Sequence, residues 1–218
     1  MASGKLTFSV PAQHPLSQIK RKTYFYYCMI LSMFRCFIFS YVLACIGGIM
    51  SVTAASTASP SAWDFSFTAI DGNQLPLSQY EGQAVLVVNT ASRCGFTSQY
   101  DALQQLWQDY QDRGLVVIGV PSDDFGGQEL TSEAEVKQFC EVNFNIDFPM
   151  TSITHVKGSA AHPFYKWAAL KAGMLARPKW NFHKYLIDRN GQLAASFSSM
   201  ISPTSEKIRA AIETTLTH

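Results

Sequence analysis

The residues of this 218-residue chain that could do chemistry without a cofactor centre on one cysteine, Cys94. Four apolar β-formers, Val85 to Val88, read as a strand buried on both faces. Asn89 to Arg93 reads as a loop, and Thr97 or Ser98 is placed to cap a helix running to Tyr110. Cys94 therefore stands at a strand end, one step before a helix. Backbone N–H groups and the positive end of a helix favour thiolate over thiol, and Arg93 adds a neighbouring charge. The plain alternative is a small buried apolar residue, which is what most free cysteines are. The strand-end position, the polar loop and the arginine favour a reactive thiol.

Charge is distributed unevenly along the chain. Residues 1–63 hold five basic side chains (Lys5, Lys20, Arg21, Lys22, Arg35) and no acidic one. Taking those five from the 17 Lys and Arg leaves 12 basic against 16 acidic residues from Asp64 onward. That balance offers no basic patch for nucleic acid. Lys20-Arg21-Lys22 precedes an apolar run from Tyr24 to Val52, broken by Arg35 and followed by small residues with a cleavage-like Val52-Thr53-Ala54. Residues 1–54 thus read as a signal peptide or an N-terminal membrane anchor, 55–63 as a linker, and 64–218 as one domain. The expected location is exported, periplasmic or secreted, with membrane association through the N-terminal segment if the leader is retained. Of five cysteines, Cys28, Cys36 and Cys45 lie in the leader, so the domain keeps Cys94 and Cys140. Two cysteines in an exported domain invite either a static disulfide or a redox-cycling pair.

The elements that must position these residues follow in order. Asp64 to Ala69 alternates, and Ile70 to Leu75 supplies a hairpin turn. Leu115 to Val120 is a second buried strand, which makes a β-α-β crossover with a parallel pair. The loop Pro121 to Glu129 falls at the same sheet end as Cys94, where sites gather in open α/β sheets. It carries Gly126-Gly127, suited to a close backbone approach, and Gln128, an amide donor and acceptor. Ser132 to Glu135 is a capping box opening a helix through Cys140. Pro163 to Lys171 is another helix, Lys184 to Ile187 and Leu193 to Phe197 are strands, and Ser202-Pro203 starts a last helix. His183 reads as a packing or surface residue. The order predicts an α/β, thioredoxin-like fold: a central mixed sheet flanked by helices. The position of a Cys-x-x-Cys pair reads Cys94-Gly-Phe-Thr97, so the usual local partner is missing.

Three stretches resemble the glutathione peroxidase family in order and spacing. Asn89-Thr-Ala-Ser-Arg-Cys94-Gly-Phe-Thr97 is similar to its peroxidatic cysteine motif, Phe125-Gly-Gly-Gln128-Glu129 to its glutamine motif, and Trp180-Asn181-Phe182 to its tryptophan–asparagine motif. The resemblance, from about Trp63 to the C-terminus, implies a catalytic set of Cys94, Gln128, Trp180 and Asn181. It also implies that Cys140 is the resolving cysteine of the cysteine-only, thioredoxin-using branch. Met150–Lys171 lacks the insertion of oligomeric, glutathione-using members, which implies a monomer. Departures fall at Ser122-Asp123-Asp124, where Cys-Asn-Gln is common, and at Leu130, where proline is usual.

What the resemblance implies is a thiol peroxidase acting on hydrogen peroxide and organic or lipid hydroperoxides. No cofactor is expected: the reducing co-substrate is thioredoxin or glutathione, and the histidines show no metal-ligand spacing with Cys94 or Cys140. Two other readings stay open: a thiol–disulfide oxidoreductase, and a membrane-tethered redox sensor.

Overall fold

The computed structural model describes residues 59–217, and the expectations for residues 1–58 lie outside them. Among the described residues no helix is long and apolar enough to cross a membrane. A small hairpin comes first, with β1 (Ser66–Thr68) antiparallel to β2 (Gln74–Pro76). The two central strands, β3 (Ala84–Thr90) and β4 (Leu115–Pro121), are buried along their full length. They pair in parallel from Ala84 opposite Leu115 to Thr90 opposite Pro121, joined through α1 (Gln99–Tyr110). β5 (Lys184–Ile187) lies antiparallel on the other side of β3, and β6 (Leu193–Phe197) on β5, giving the order β4-β3-β5-β6. The remaining helices are α2 (Glu133–Phe144), α3 (Pro163–Ala172) and α4 (Glu206–Thr217).

Strand side chains alternate between faces, so a run apolar at every position must be covered twice. Leu86 and Val88 pack with Tyr100, Leu103 and Leu106 of α1, Val136 and Cys140 of α2, and Ile208 and Ile212 of α4. Val85 and Val87 pack on the opposite side with Phe164, Tyr165 and Trp167 of α3 and with Leu75 and Leu77. Each fully buried side chain of this size is worth roughly 1.5–3 kcal/mol. The sheet is thus the middle of three layers, and Cys94 and Cys140 share one apolar cluster. This is the expected thioredoxin-like architecture.

Several boundaries differ from the sequence reading. β3 runs two residues further, through Asn89 and Thr90, because the Asn89 amide donates to His183 O (3.2 Å) and its carbonyl accepts from Phe182 N. α1 starts at Gln99 with no side-chain cap at Ser98. Successive three-residue turns lead into it instead, with Thr97 N donating to Cys94 O (3.1 Å) and Gln99 N to Phe96 O (2.9 Å). The capping box of α2 forms by half. Ser132 Oγ accepts from Glu135 N (3.4 Å), while the Glu135 carboxylate turns to Thr131 Oγ1 (3.0 Å). α4 begins at Glu206, after Pro203, because Ser205 O is the first carbonyl to accept from the helix, from Ile208 N and Arg209 N.

Candidate active site

At the end of β3 the chain turns sharply, and Cys94 sits inside that turn with only 4 % of its surface exposed. The Phe96 amide points at the sulfur, N to Sγ 3.5 Å. Arg93 itself is exposed, but its backbone N–H donates to Gln128 O at 2.8 Å, which fastens the Gln128 loop to the residue before the cysteine. Asn181 Nδ2 donates to Gln128 Oε1 at 3.0 Å. That bond turns the Gln128 oxygen towards Asn181 and leaves its N–H groups to offer a ligand. Asn181 is fully buried, and its Oδ1 has no partner. An acceptor left this way is an opening for a protic ligand.

Trp180 is the most open member, 40 % exposed. Its ring lies 6.0 Å from that of Phe125, centroid to centroid, and borders Gly126. Gly126 and Gly127 both have positive φ, 77° and 62°. A Cβ on Gly126 would meet Gln128 and the Trp180 ring at ordinary contact distances, so left-handed backbone, rather than the expected close approach, requires glycine there. Of the sequence-predicted residues, Gln128 is tied through its carbonyl to the turn that holds Cys94, and Asn181 and Trp180 pack against the Gln128 loop.

Cys140 is elsewhere in the same cluster. It lies within α2, one turn before the end, 1 % exposed, and both thiols are free. Burial pushes its thiol up to about 12, with Glu129 and Glu141 adding to the effect. On its outer side it lines a cavity of about 350 Å³ with Ile70, Lys137, Phe148 and Met150.

Sequence reasoning gave no role to three supporting residues. Asn89 joins the site turn to β3: Nδ2 donates to Trp180 O (3.2 Å) and Oδ1 accepts from His183 N (3.1 Å). Glu129 is buried, and Oε1 accepts from Ser92 N (3.0 Å) and Leu130 N (2.8 Å). Burial raises its carboxyl above the usual range against the pull of these contacts. At Leu130, where the family pattern has proline, the bond to Glu129 is one that proline, with no N–H, could not make. The third is Lys184, which is buried with its Nζ against three oxygens. A polar residue at the end of an apolar strand was the only hint of Asn89, and Glu129 and Lys184 gave none. His183 is a packing histidine, Nε2 2.9 Å from Ser196 Oγ, and burial together with the Lys184 charge pushes it down to about 4.

The Ser122-Asp123-Asp124 departure builds a loop anchor. Asp124 accepts from Val156 N (2.6 Å), Lys157 N (3.0 Å) and His155 Nδ1 (2.9 Å). Burial works against the Asp124 carboxylate, but these donors outweigh it and hold its pKa below the usual value. Asp123, Asp124 and His155 come close enough together to suggest a cation, yet both Asp124 oxygens already serve protein donors.

The profile of the glutathione peroxidase family matches residues 62–169. The chain is 44 % identical over 150 residues to the glutathione peroxidase-like peroxiredoxin GPX5 of Chlamydomonas reinhardtii, spanning 68 % of this chain and 93 % of that one. The chain belongs to the glutathione peroxidase family. A second relative, the hydroperoxy fatty acid reductase gpx1 of Synechocystis, is 39 % identical over 72 % of this chain and 96 % of its own. Among solved structures, the apo form of Trgpx superposes with a TM-score of 0.61 at 35 % identity, covering 74 % of this chain and 98 % of that one. A thiol:disulfide interchange protein of Chlorobium tepidum shares the thioredoxin-like fold at 17 % identity (TM-score 0.53; 70 % of this chain, 92 % of that one). As a glutathione peroxidase family member, the chain is a thiol peroxidase of the oxidoreductase class.

Proposed function

We propose that Cys94 is the peroxidatic residue, with Gln128, Trp180 and Asn181 as its donors, and that the substrates are hydrogen peroxide and organic or lipid hydroperoxides. The Cys94 thiolate attacks one peroxide oxygen. The S–O bond forms, the O–O bond breaks, and the departing oxygen takes a proton and leaves as water or alcohol. A free cysteine of pKa about 8.5 is roughly 3 % ionised at pH 7, so full ionisation gains at most about 30-fold. The larger share of the rate must come from stabilising charge on the leaving oxygen. Neutral amide and indole N–H groups suit that task because they add no competing base. The observation that carries the reading is a buried sulfur facing a backbone amide, beside an Asn181–Gln128 pair that is fastened to the preceding residue. The name of the Synechocystis relative favours lipid hydroperoxides among the substrates.

The product, a Cys94 sulfenic acid, condenses with the Cys140 thiol: an S–S bond forms, the S–O bond breaks, and water leaves. Direct bonding needs Cα atoms about 5.5 Å apart, and fraying of the last turns of α2 would free Cys140 to reach that geometry. The cavity beside it supports such opening. A thioredoxin-like dithiol, or glutathione, then reduces the disulfide. A thiol–disulfide carrier is the weaker reading because Cys94-Gly-Phe-Thr97 lacks a local partner cysteine. The leader sequence favours an exported enzyme, and the short segment 150–171 a monomer.

The test is NADPH consumption by the purified protein with peroxide, thioredoxin and thioredoxin reductase, run beside glutathione with its reductase. Sustained consumption that depends on both peroxide and thioredoxin is expected. Insulin reduction without peroxide turnover would point to the carrier instead.

A further inference from the structure

Lys184 opens β5 opposite Val88 and is fully buried. Its Nζ donates to Gln99 Oε1 (2.6 Å), Phe182 O (2.8 Å) and Ile201 O (2.7 Å). All three partners are neutral acceptors. Burial draws the ammonium down to about 7, yet three oxygens around one nitrogen call for three hydrogens, which only the charged form has. Burying an ammonium without a counter-ion costs more than burying an apolar chain of similar length, so stability alone does not account for lysine here.

The three acceptors lie on separate segments that meet at the Lys184 ammonium. Gln99 is the first residue of α1, the helix that follows Cys94, and its Nε2 donates onward to Ser199 O (2.7 Å). Phe182 directly follows Asn181 and holds a left-handed φ of 62°, unfavourable for a bulky side chain. Its amide is pinned by Asn89 O and its carbonyl by Lys184, so the peptides on both sides of the strained residue are fixed. Ile201 belongs to the segment after β6, close to Ser199.

We propose that Lys184 is a positioning residue for the peroxide step: it locks the Phe182 turn and sets Asn181, and through it Gln128, against the helix that carries the Cys94 turn. This rests on the peroxidase reading above. Lys184 acts through Phe182 and Gln99 and touches no reacting atom. Its removal should slow attack on peroxide while leaving the reductant step alone, because reduction of the disulfide does not use the amide pair.

The experiment uses the full chain with Lys184→Met, Lys184→Arg and Gln99→Met. Ping-pong kinetics separate the rate constant for peroxide from that for thioredoxin, and hydrogen exchange is followed at residues 180–184. In Lys184→Met the peroxide constant should fall about tenfold or more with the thioredoxin constant unchanged. Exchange at 180–184 should rise about tenfold relative to the centre of β3. Gln99→Met should move both readouts the same way by less, and Lys184→Arg, which keeps charge and donors, should recover part of the loss. An unchanged peroxide constant, an equal fall in both constants, or unchanged exchange at 180–184 overturns the proposal. If Lys184→Met does not fold, Gln99→Met decides by the same readouts. A wild-type chain inactive toward peroxide would sink the peroxidase reading, and the exchange comparison would still decide whether Lys184 fixes the turn.

Discussion

Two sulfurs are buried in one apolar cluster and are held by opposite means. The Cys94 turn is fixed by bonds that cross the chain: Arg93 to Gln128, Gln128 to Asn181, Asn89 to Trp180, Lys184 to Phe182. None of these is local in sequence except the last. Cys140 is held by the ordinary bonds of a 12-residue helix, over a cavity, behind a cap made by half. The first arrangement cannot move without breaking several contacts at once, whereas the second can open by fraying. A sulfur that must meet preplaced donors needs the first kind of support, and one that must travel to a partner needs the second. The Cys140 thiol, pushed up to about 12 while the helix is closed, stays protonated and quiet until it is released.

Breaking the fixed half at its centre has the largest expected effect. Cys94→Ser should abolish peroxide-dependent NADPH oxidation with either reductant, since no other residue supplies the nucleophile. Cys140→Ser separates the halves: one equivalent of peroxide is still consumed per chain, but thioredoxin-supported turnover falls by about 100-fold or more. Peroxide loss after mixing, measured in single turnover and then with thioredoxin, checks both. Multiple turnover preserved in Cys140→Ser would show that the helix carries no resolving thiol.

Removing one donor is the next step down. Gln128→Ala or Asn181→Ala should lower the peroxide rate constant about 10²–10³-fold, roughly 2.7–4 kcal/mol, as for other preorganised donors to a developing oxyanion. The loss should be confined to that half-reaction. The two losses should not add, because each residue orients the other through the 3.0 Å bond.

Acid sharpens the comparison from another side. His183 packs under the fixed half, and its folded pKa of about 4 lies below the ordinary 6.5. The unfolded chain therefore binds the extra proton first. The contribution of His183 is intact above about 6.5, declines as pH falls, and is lost by about 4, worth at most about 3 kcal/mol. Thermal denaturation at pH 7, 5.5 and 4 should show that decline, and His183→Asn should lack this part of it.

The halves also differed in how far the sequence disclosed them. The buried strands and α1, α2 and α3 follow from apolar runs and periodicity, which are local signals. Asn89 and Thr90 read as loop because polar residues usually end strands, and it is partners distant in sequence that keep them in β3: Val120 and Pro121 of β4 on one side, His183 and Phe182 against Asn89 on the other. By residue type alone Trp180 would be core and Asn181 a turn residue. The fold reverses this, burying asparagine and leaving tryptophan 40 % exposed. Periodicity does not encode that inversion, and the family motifs were what marked the pair. Lys184 read only as the first residue of a strand. Its burial depends on Gln99 and Ile201, 85 and 17 residues away.

The smallest effect tests whether the mobile half is limited by its own helix. Ser132 is the side chain that caps α2, accepting from Glu135 N, while Glu135 makes no return bond to the Ser132 backbone and turns to Thr131 instead. Losing such a cap costs about 1 kcal/mol, or roughly fivefold in a local opening equilibrium. If fraying of α2 gates the second sulfur, Ser132→Ala should speed disulfide formation after one equivalent of peroxide by up to that factor, leaving the peroxide step untouched. Quenched time points separated by thiol alkylation would read the rate. A cap at the far end of the helix acts only if α2 opens as a unit. An unchanged rate would confine the opening to the last turn, where Asn145, at a left-handed φ of 50°, closes the helix onto Cys140 O and Glu141 O. Asn145→Gly, which relieves that backbone, should then slow release where Ser132→Ala did nothing.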